Sequence, residues 1–242
     1  PFNIILLFFL FIKSFFLLKK RKINKIISTG GYMSLPIVIA GKLLNMNIYL
    51  IEPNHVLGRA NKFYLRLCKK IFCYTNQIKN FPHNFLYKRI IINPLVKEKV
   101  YKLKESNKNH KKFNILIVGG SQSANIFNQQ LKEKVVKLSK KKSIRVFQQT
   151  NEKNISYLEE FYSKNKIESK IFSFKKNLEK VMQITDLCIT RAGASTLAEL
   201  SVMNIPFIAV PLPKSKDNHQ FENAKYYKEK GCCWIIEQDT FE

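Results

Sequence analysis

The sequence predicts an α/β protein built from two doubly wound parallel sheets, and three observations carry that prediction. Short apolar runs bounded by turn residues recur along almost the whole chain, with helical patterns between them. The runs are continuous rather than alternating, as expected of strands covered by helices on both faces. The alternation breaks once, at the polar tract 105–112 (ESNKNHKK), and then resumes. The expected domains are therefore 1–104 and 105–242. Two such units in sequence predict a ligand cleft between them, at the carboxyl ends of the strands.

The elements follow in order. Residues 2–18 are almost wholly apolar, broken by Asn3, Lys13 and Ser14, and lead into Lys19-Lys20-Arg21-Lys22. A signal peptide carries its charge ahead of the apolar run, so that reading is weak here. A helix lying in the membrane interface, held by the basic cluster on anionic lipid, fits best. A spanning helix with a cytoplasmic carboxyl side and a buried core helix are the alternatives, the run being near the lower limit of about 17 residues for a span. Strands are expected at 25–28, 47–51, 70–75 and 89–92, with helices at 36–44 and 58–68. After the polar tract come strands at 113–118, 144–149, 167–173, 187–190, 207–210 and 232–236. Helices at 124–138, 153–165, 177–184, 196–203 and 218–230 alternate with them.

Composition narrows the function. A 45% hydrophobic content supports sizeable cores across 242 residues. The net charge of +25 is unevenly placed: 16 Lys plus Arg face one acid through Lys97, and 26 face 16 acids beyond it. Such a field attracts nucleic acid, anionic lipid or phosphorylated substrates. No nucleic-acid module or basic strand interleaved with aromatics is present, which disfavours the first. The five cysteines lack paired metal spacing and read as small core residues of a reducing compartment. The chain opens on Pro1 and stops just after a strand, so it reads as a fragment lacking material at both ends.

Five loops, each after an expected strand, carry the candidate chemistry. Thr29-Gly30-Gly31-Tyr32 precedes a helix with Pro36 in its first turn. Adjacent glycines before a helix make an anion seat, although a Gly-Gly turn is also ordinary loop. In Glu52-Pro53-Asn54, Asn54 either bonds a substrate or makes a local turn. Gly119-Gly120-Ser121-Gln122 has the phosphate-binding arrangement without the full dinucleotide fingerprint. Arg191-Ala192-Gly193-Ala194-Ser195-Thr196-Leu197-Ala198-Glu199-Leu200 reads as a small-residue turn opening a helix. Thr196 and Glu199 are spaced as a capping box, and the functional alternative is a nucleotide-sugar seat with Glu199 on ribose hydroxyls. Pro211-Leu212-Pro213 leads to Asp217-Asn218-His219-Gln220, which either bind a ligand or cap a helix.

Together these segments resemble the MurG family, bacterial transferases that move N-acetylglucosamine from UDP onto lipid I. The matching stretches are TGGYMSLP, IEPNHVLGRANK, ILIVGGSQSANIFNQ, VFQQT, DLCITRAGASTLAEL and VPLPKSKDNHQFENA, in family order across 23–242. The resemblance implies a GT-B architecture, with lipid I at the first domain and UDP-N-acetylglucosamine at the second. It also implies an inverting displacement without metal or cofactor, by an enzyme peripheral to the cytoplasmic face of the inner membrane. Carried over, Ser121 contacts the diphosphate, and the segment Ala194, Ser195, Thr196, Leu197, Ala198 and Glu199 offers backbone donors, with Glu199 on the ribose. Gln220 meets the donor sugar, Asn54 reaches the donor from the first domain, and Gly30, Gly31 and Tyr32 belong to the acceptor side.

The departures from the pattern are informative. The family's first glycine-rich loop, which bears its candidate His base, is absent, so no catalytic residue is assigned. The family's Asn-Pro-Val-Arg reads Asn93-Pro94-Leu95-Val96, which leaves Lys97 as the substitute cation, and GGSQGA reads GGSQSA at Ser123. The alternatives are another GT-B enzyme acting on a lipid acceptor, or an inactive fragment that needs the missing loop. The chain is expected to bind donor and transfer sugar poorly until upstream residues are restored.

Overall fold

The computed structural model describes residues 2–103, 110–119, 124–175, 177–213 and 215–240. The chain divides into two compact units, Pro1–Pro94 and Leu95–Glu242.

The first unit runs α1 (Phe2–Lys20), β1 (Lys25–Ser28), α2 (Leu35–Leu43), β2 (Asn47–Glu52), α3 (Arg59–Tyr64), β3 (Lys70–Cys73) and β4 (Arg89–Ile91). The strands pair in parallel in the order β1-β2-β3-β4. Pro sits in the first turn of α2, where its missing N–H costs nothing. The helix stops because Asn45 turns left-handed, φ 55°, and Met46 N–H closes onto Gly41 O at 2.9 Å. One sheet face buries Ile26, Ile48, Leu50, Ile71 and Cys73 with Val38, Tyr64 and Leu65.

The helix α1 packs against α2 and sends Phe11, Phe15 and Leu18 toward this core. Its other face leaves Phe8 63% and Phe16 65% exposed, with the Lys19-Lys20-Arg21-Lys22 cluster exposed beyond it. Among the described residues no helix is long and apolar enough to cross a membrane.

The second unit holds α4 (Glu98–Lys102), β5 (Phe113–Val118), α5 (Ala124–Ser139), β6 (Ile144–Gln149), α6 (Ile155–Lys164), β7 (Glu168–Phe172) and α7 (Leu178–Gln183). It continues with β8 (Leu187–Thr190), α8 (Ala194–Val202), β9 (Phe207–Ala209), α9 (His219–Glu229) and β10 (Cys233–Ile235). Its parallel sheet has the order β10-β9-β8-β5-β6-β7. One face buries Val181, Met182, Leu197, Leu200, Ala224 and Tyr227; the other buries Phe127, Leu131, Val135, Leu158 and Tyr162. The winding goes outward from β5 to β7 and then returns to lay β8 on the other side of β5. That reversal is a topological switch point, which opens a crevice beyond the carboxyl ends of β5 and β8.

The division falls at Pro94/Leu95, not at the expected 104/105. Val100 is buried in the second core, with Val96 and Leu103 packed against it. An apolar face on one turn of helix is too short to stand out in sequence. The end of the polar tract is tied down as well, by His110 to Asp186 at 2.6 Å and by Lys112 to Glu168 at 2.8 Å.

Candidate active site

The switch point puts two loops side by side, because Arg191 N–H reaches Val118 O at 3.4 Å. Gly119 is buried at the end of β5. The remainder of that loop, including Ser121, lies outside the described residues.

The other loop overturns the capping-box reading. The helix α8 starts at Ala194 on an extended Gly193 N-cap, φ −71° and ψ 134°, with no side-chain cap. Thr196 is therefore the third helical residue, and Glu199 lies beyond the first turn. Leu197 N–H is already bonded to Gly193 O at 3.0 Å. The N–H groups of Ala194, Ser195 and Thr196 are the ones without intrahelical acceptors, at the positive end of the dipole. Leu197 and Ala198 bury their side chains in the core, so they support the seat from beneath instead of lining it.

Glu199 is half-buried, and no described residue donates a hydrogen bond to its carboxylate. Burial raises its pKa above the usual carboxylate value; the nearby positive charge of Lys97 opposes this and Glu179 adds to it. Lys97 is the N-cap of α4, which packs on α8, so the expected substitute cation does stand near this carboxylate. A desolvated carboxylate on a helix that opens with N–H groups lacking intrahelical acceptors suits a ligand that carries both hydroxyl donors and anionic oxygens.

Gln220 lies in the first turn of α9, its Oε1 accepting Leu212 N–H at 2.9 Å. Before it, Asp217 and Asn218 are both left-handed, φ 55° and 53°, a conformation that Asp and Asn tolerate best among residues with a Cβ. Asn218 is the N-cap but its side chain makes no cap hydrogen bond, and Ser215 Oγ accepts from Gln220 N–H at 3.4 Å. Two braces went unread in the sequence. Asn223, fully buried on α9, donates to Ala192 O at 3.2 Å, and Arg191 bonds to the carbonyls of Val210 and Pro211. Both sit inside the quoted motifs, yet their partners are remote in sequence.

In the first unit Gly30 and Gly31 have φ of 87° and 85°, so both need to be glycine. Gly31 O accepts from Ser34 Oγ at 2.8 Å and from Tyr64 Oη at 3.0 Å. A Cβ on Gly30 would collide with Asn61, whereas one on Gly31 would meet open space. Tyr32 is exposed beside the turn. Asn54 folds back on Glu52, donating through N at 3.1 Å and Nδ2 at 2.9 Å. Glu52 and Asn61, quoted only as parts of a motif, are the organising residues of this loop.

The histidines are dispersed. His55 is buried, His83 lies in an exposed 3₁₀ turn, His110 pairs with Asp186, and His219 Nδ1 contacts Lys216 O at 2.6 Å.

Two all-parallel α/β units, the second with glycine and helix-start loops at its switch point, define the GT-B class of glycosyltransferase fold. The chain belongs to glycosyltransferase family 28: residues 2–73 match the N-terminal domain of that family and residues 114–242 its C-terminal domain. It is 46% identical over 98% of its length to the UDP-N-acetylglucosamine–N-acetylmuramyl-(pentapeptide) pyrophosphoryl-undecaprenol N-acetylglucosamine transferase of Pelagibacter ubique. The transferase of the same name from Wolbachia of Drosophila simulans is 34% identical over 92% of the chain. The chain spans 67% and 64% of these two relatives. Among solved structures, MurG of Acinetobacter baumannii aligns over 95% of this chain and 65% of its own, with TM-score 0.76 and 26% identity. A Staphylococcus aureus MnaA–UDP structure, 11% identical with TM-score 0.69, shares the fold.

Proposed function

We propose that this chain carries the donor seat and part of the acceptor seat of a transferase that moves N-acetylglucosamine from UDP to lipid I, yielding lipid II. The single observation that carries the reading is the α8 start, whose first three N–H groups lack intrahelical acceptors, on a helix whose Glu199 carboxylate no described residue satisfies. In this reading the N–H groups of Ala194, Ser195 and Thr196 hold donor oxygens, and Glu199 accepts from the ribose. Gln220 recognises the sugar, with Ser121 on the diphosphate, and Asn54 is a further donor-binding residue. Gly30, Gly31 and Tyr32 serve the acceptor. The 46% identical Pelagibacter relative, named for this reaction, supports the assignment.

The chemistry is a single inversion. The acceptor's sugar hydroxyl oxygen attacks the anomeric carbon, the bond from that carbon to the phosphate oxygen breaks, and UDP leaves with the electron pair. The hydroxyl proton needs a base within hydrogen-bond reach. His55 is buried and His110 is committed to Asp186, so the reading gives none of the histidines that role.

The exposed apolar face of α1 and its basic flank support a peripheral seat for the enzyme on the cytoplasmic surface of the inner membrane, with the helix in the interface on anionic lipid. Calorimetry on the full chain tests the donor half. Heat of binding with UDP-N-acetylglucosamine, weakened in Glu199→Ala, is expected, and equal affinity in a folded variant overturns Glu199's role.

A further inference from the structure

We infer that Arg191 is the positioning residue that sets the donor-sugar contact of Gln220, acting through the Pro211–Leu212 peptide; the inference rests on the donor-binding reading above. Arg191 closes β8 and is 8% exposed. Among the described residues its guanidinium has no carboxylate partner. Its Nη1 donates to Val210 O at 3.1 Å and Pro211 O at 3.3 Å, and its Nη2 donates to Gln238 Oε1 at 2.7 Å. Its Cζ lies 5.2 Å from the centre of the fully buried Phe127 ring on α5. One face of the group is thus covered by a ring and its edge is held by three oxygens, while Nε makes no hydrogen bond among the described residues.

Burying a charge without a counter-charge is expensive, and an apolar side chain of similar size would fill the space at lower cost. What the guanidinium provides that an apolar group cannot is a grip on two successive carbonyls. That grip fixes the plane of the peptide joining Pro211 to Leu212, because the carbonyl of Pro211 and the N–H of Leu212 belong to the same planar unit. The Leu212 N–H in turn holds Gln220 Oε1 at 2.9 Å. With its oxygen held there, Gln220 keeps its amide N–H groups to offer as donors to a ligand. Such a group selects sugar hydroxyl or acetamide carbonyl oxygens. The chain of contacts runs from the end of β8, which also leads into the α8 seat, to the first turn of α9. Nucleotide and sugar recognition are therefore set by different residues but aligned by one.

The test uses the full chain carrying Arg191→Lys, Arg191→Gln or Gln238→Ala; the last keeps the buried cation and removes one of its anchors. Two quantities are read: the ratio of UDP-N-acetylglucosamine to UDP affinity by calorimetry, and hydrogen exchange at the Leu212 amide. The expected result is a fall of about fivefold to tenfold in the affinity ratio for both Arg191 variants, matching Gln220→Ala, with UDP affinity held, as for loss of one hydrogen bond. Leu212 exchange should accelerate in all three, with or without ligand. An unchanged ratio in folded Arg191 variants, or equal loss of both ligands, would overturn the inference by making Arg191 a purely structural support. If the unmodified chain binds neither nucleotide, the donor reading fails instead. Leu212 exchange then still decides whether Arg191 sets this peptide.

Discussion

The Glu52 carboxylate and the Asn61 amide form a buried pair, with Nδ2 donating to Oε2 at 2.9 Å, and that pair ties the end of β2 to the first turn of α3. Glu52 is 2% exposed and accepts also from Gly58 N at 2.9 Å and from the backbone and side chain of Asn54. Asn61, held by this bond, stands against Gly30 in the glycine turn. An acid in an otherwise acid-free stretch thus serves as the internal acceptor for the whole 54–61 loop.

Replacing that oxygen pair should therefore be costly. Glu52→Gln turns an NH₂ group toward N–H donors, and a loss of about 1–3 kcal/mol in unfolding free energy is expected. Gly30→Ala should destabilise as well, since it strains the φ of 87° and displaces Asn61. Urea unfolding of both variants is the check, and a Glu52→Gln midpoint equal to the parent's would show that the carboxylate is dispensable.

Donor affinity should depend on pH through Glu199. Its folded pKa is raised by burial, so the ligand-free protein takes up a proton there more readily than the unfolded chain does. Native stability from this group is thus greatest when it is protonated, and falls as the pH rises from the ordinary carboxylate value through the raised one. A ligand whose hydroxyls donate to the ionised form should bind more tightly as pH rises through the same window, releasing a proton. Glu199→Gln should flatten that dependence, cost roughly 1–3 kcal/mol of affinity at neutral pH and stabilise the empty protein. Calorimetry in buffers of differing ionisation heat, together with thermal unfolding, reads all three.

Membrane binding should be electrostatic in part. Vesicles containing anionic lipid should bind the chain, with affinity falling as salt rises, because each basic residue near the surface contributes about 1 kcal/mol. Replacing Phe8, Phe9 and Phe16 by Ser should release it without unfolding, since these rings lie on the exposed face of α1. Retention after high-salt washing, with release only by detergent, would contradict an interfacial helix.

Transfer should lag behind binding. The chain should bind UDP-N-acetylglucosamine yet turn over a lipid I analogue slowly, since His55 is buried and His110 and His219 are engaged by Asp186 and the Lys216 carbonyl. Robust turnover would locate the base on this chain, and His55→Ala is the first variant to measure.

The alternation of apolar runs and helical patterns was sufficient to place the ten described strands within a residue or two, because each is a short apolar run bounded by turn residues. Helix ends were legible for a similar local reason: Asn45, Lys166, Asn204 and Gly231 take left-handed φ just past the helices they close. The glycine turn at Gly30-Gly31 and the turn into a helix at the RAGAST segment were legible because backbone freedom and helix starts are written in adjacent residues. What sequence spacing could not decide was which hydrogen bonds close. Thr196 and Glu199 have the spacing of a capping box, but the helix begins two residues before Thr196, and that start is set by the packing of Leu197, Ala198 and Leu200 into the sheet. The partners of Glu52, Arg191 and Asn223 lie up to 47 residues away and meet only when parallel strands bring their carboxyl-end loops together. Periodicity determines the elements, since burial of each face is a local demand. The polar wiring of the site is a long-range demand, and only the tertiary structure decided it.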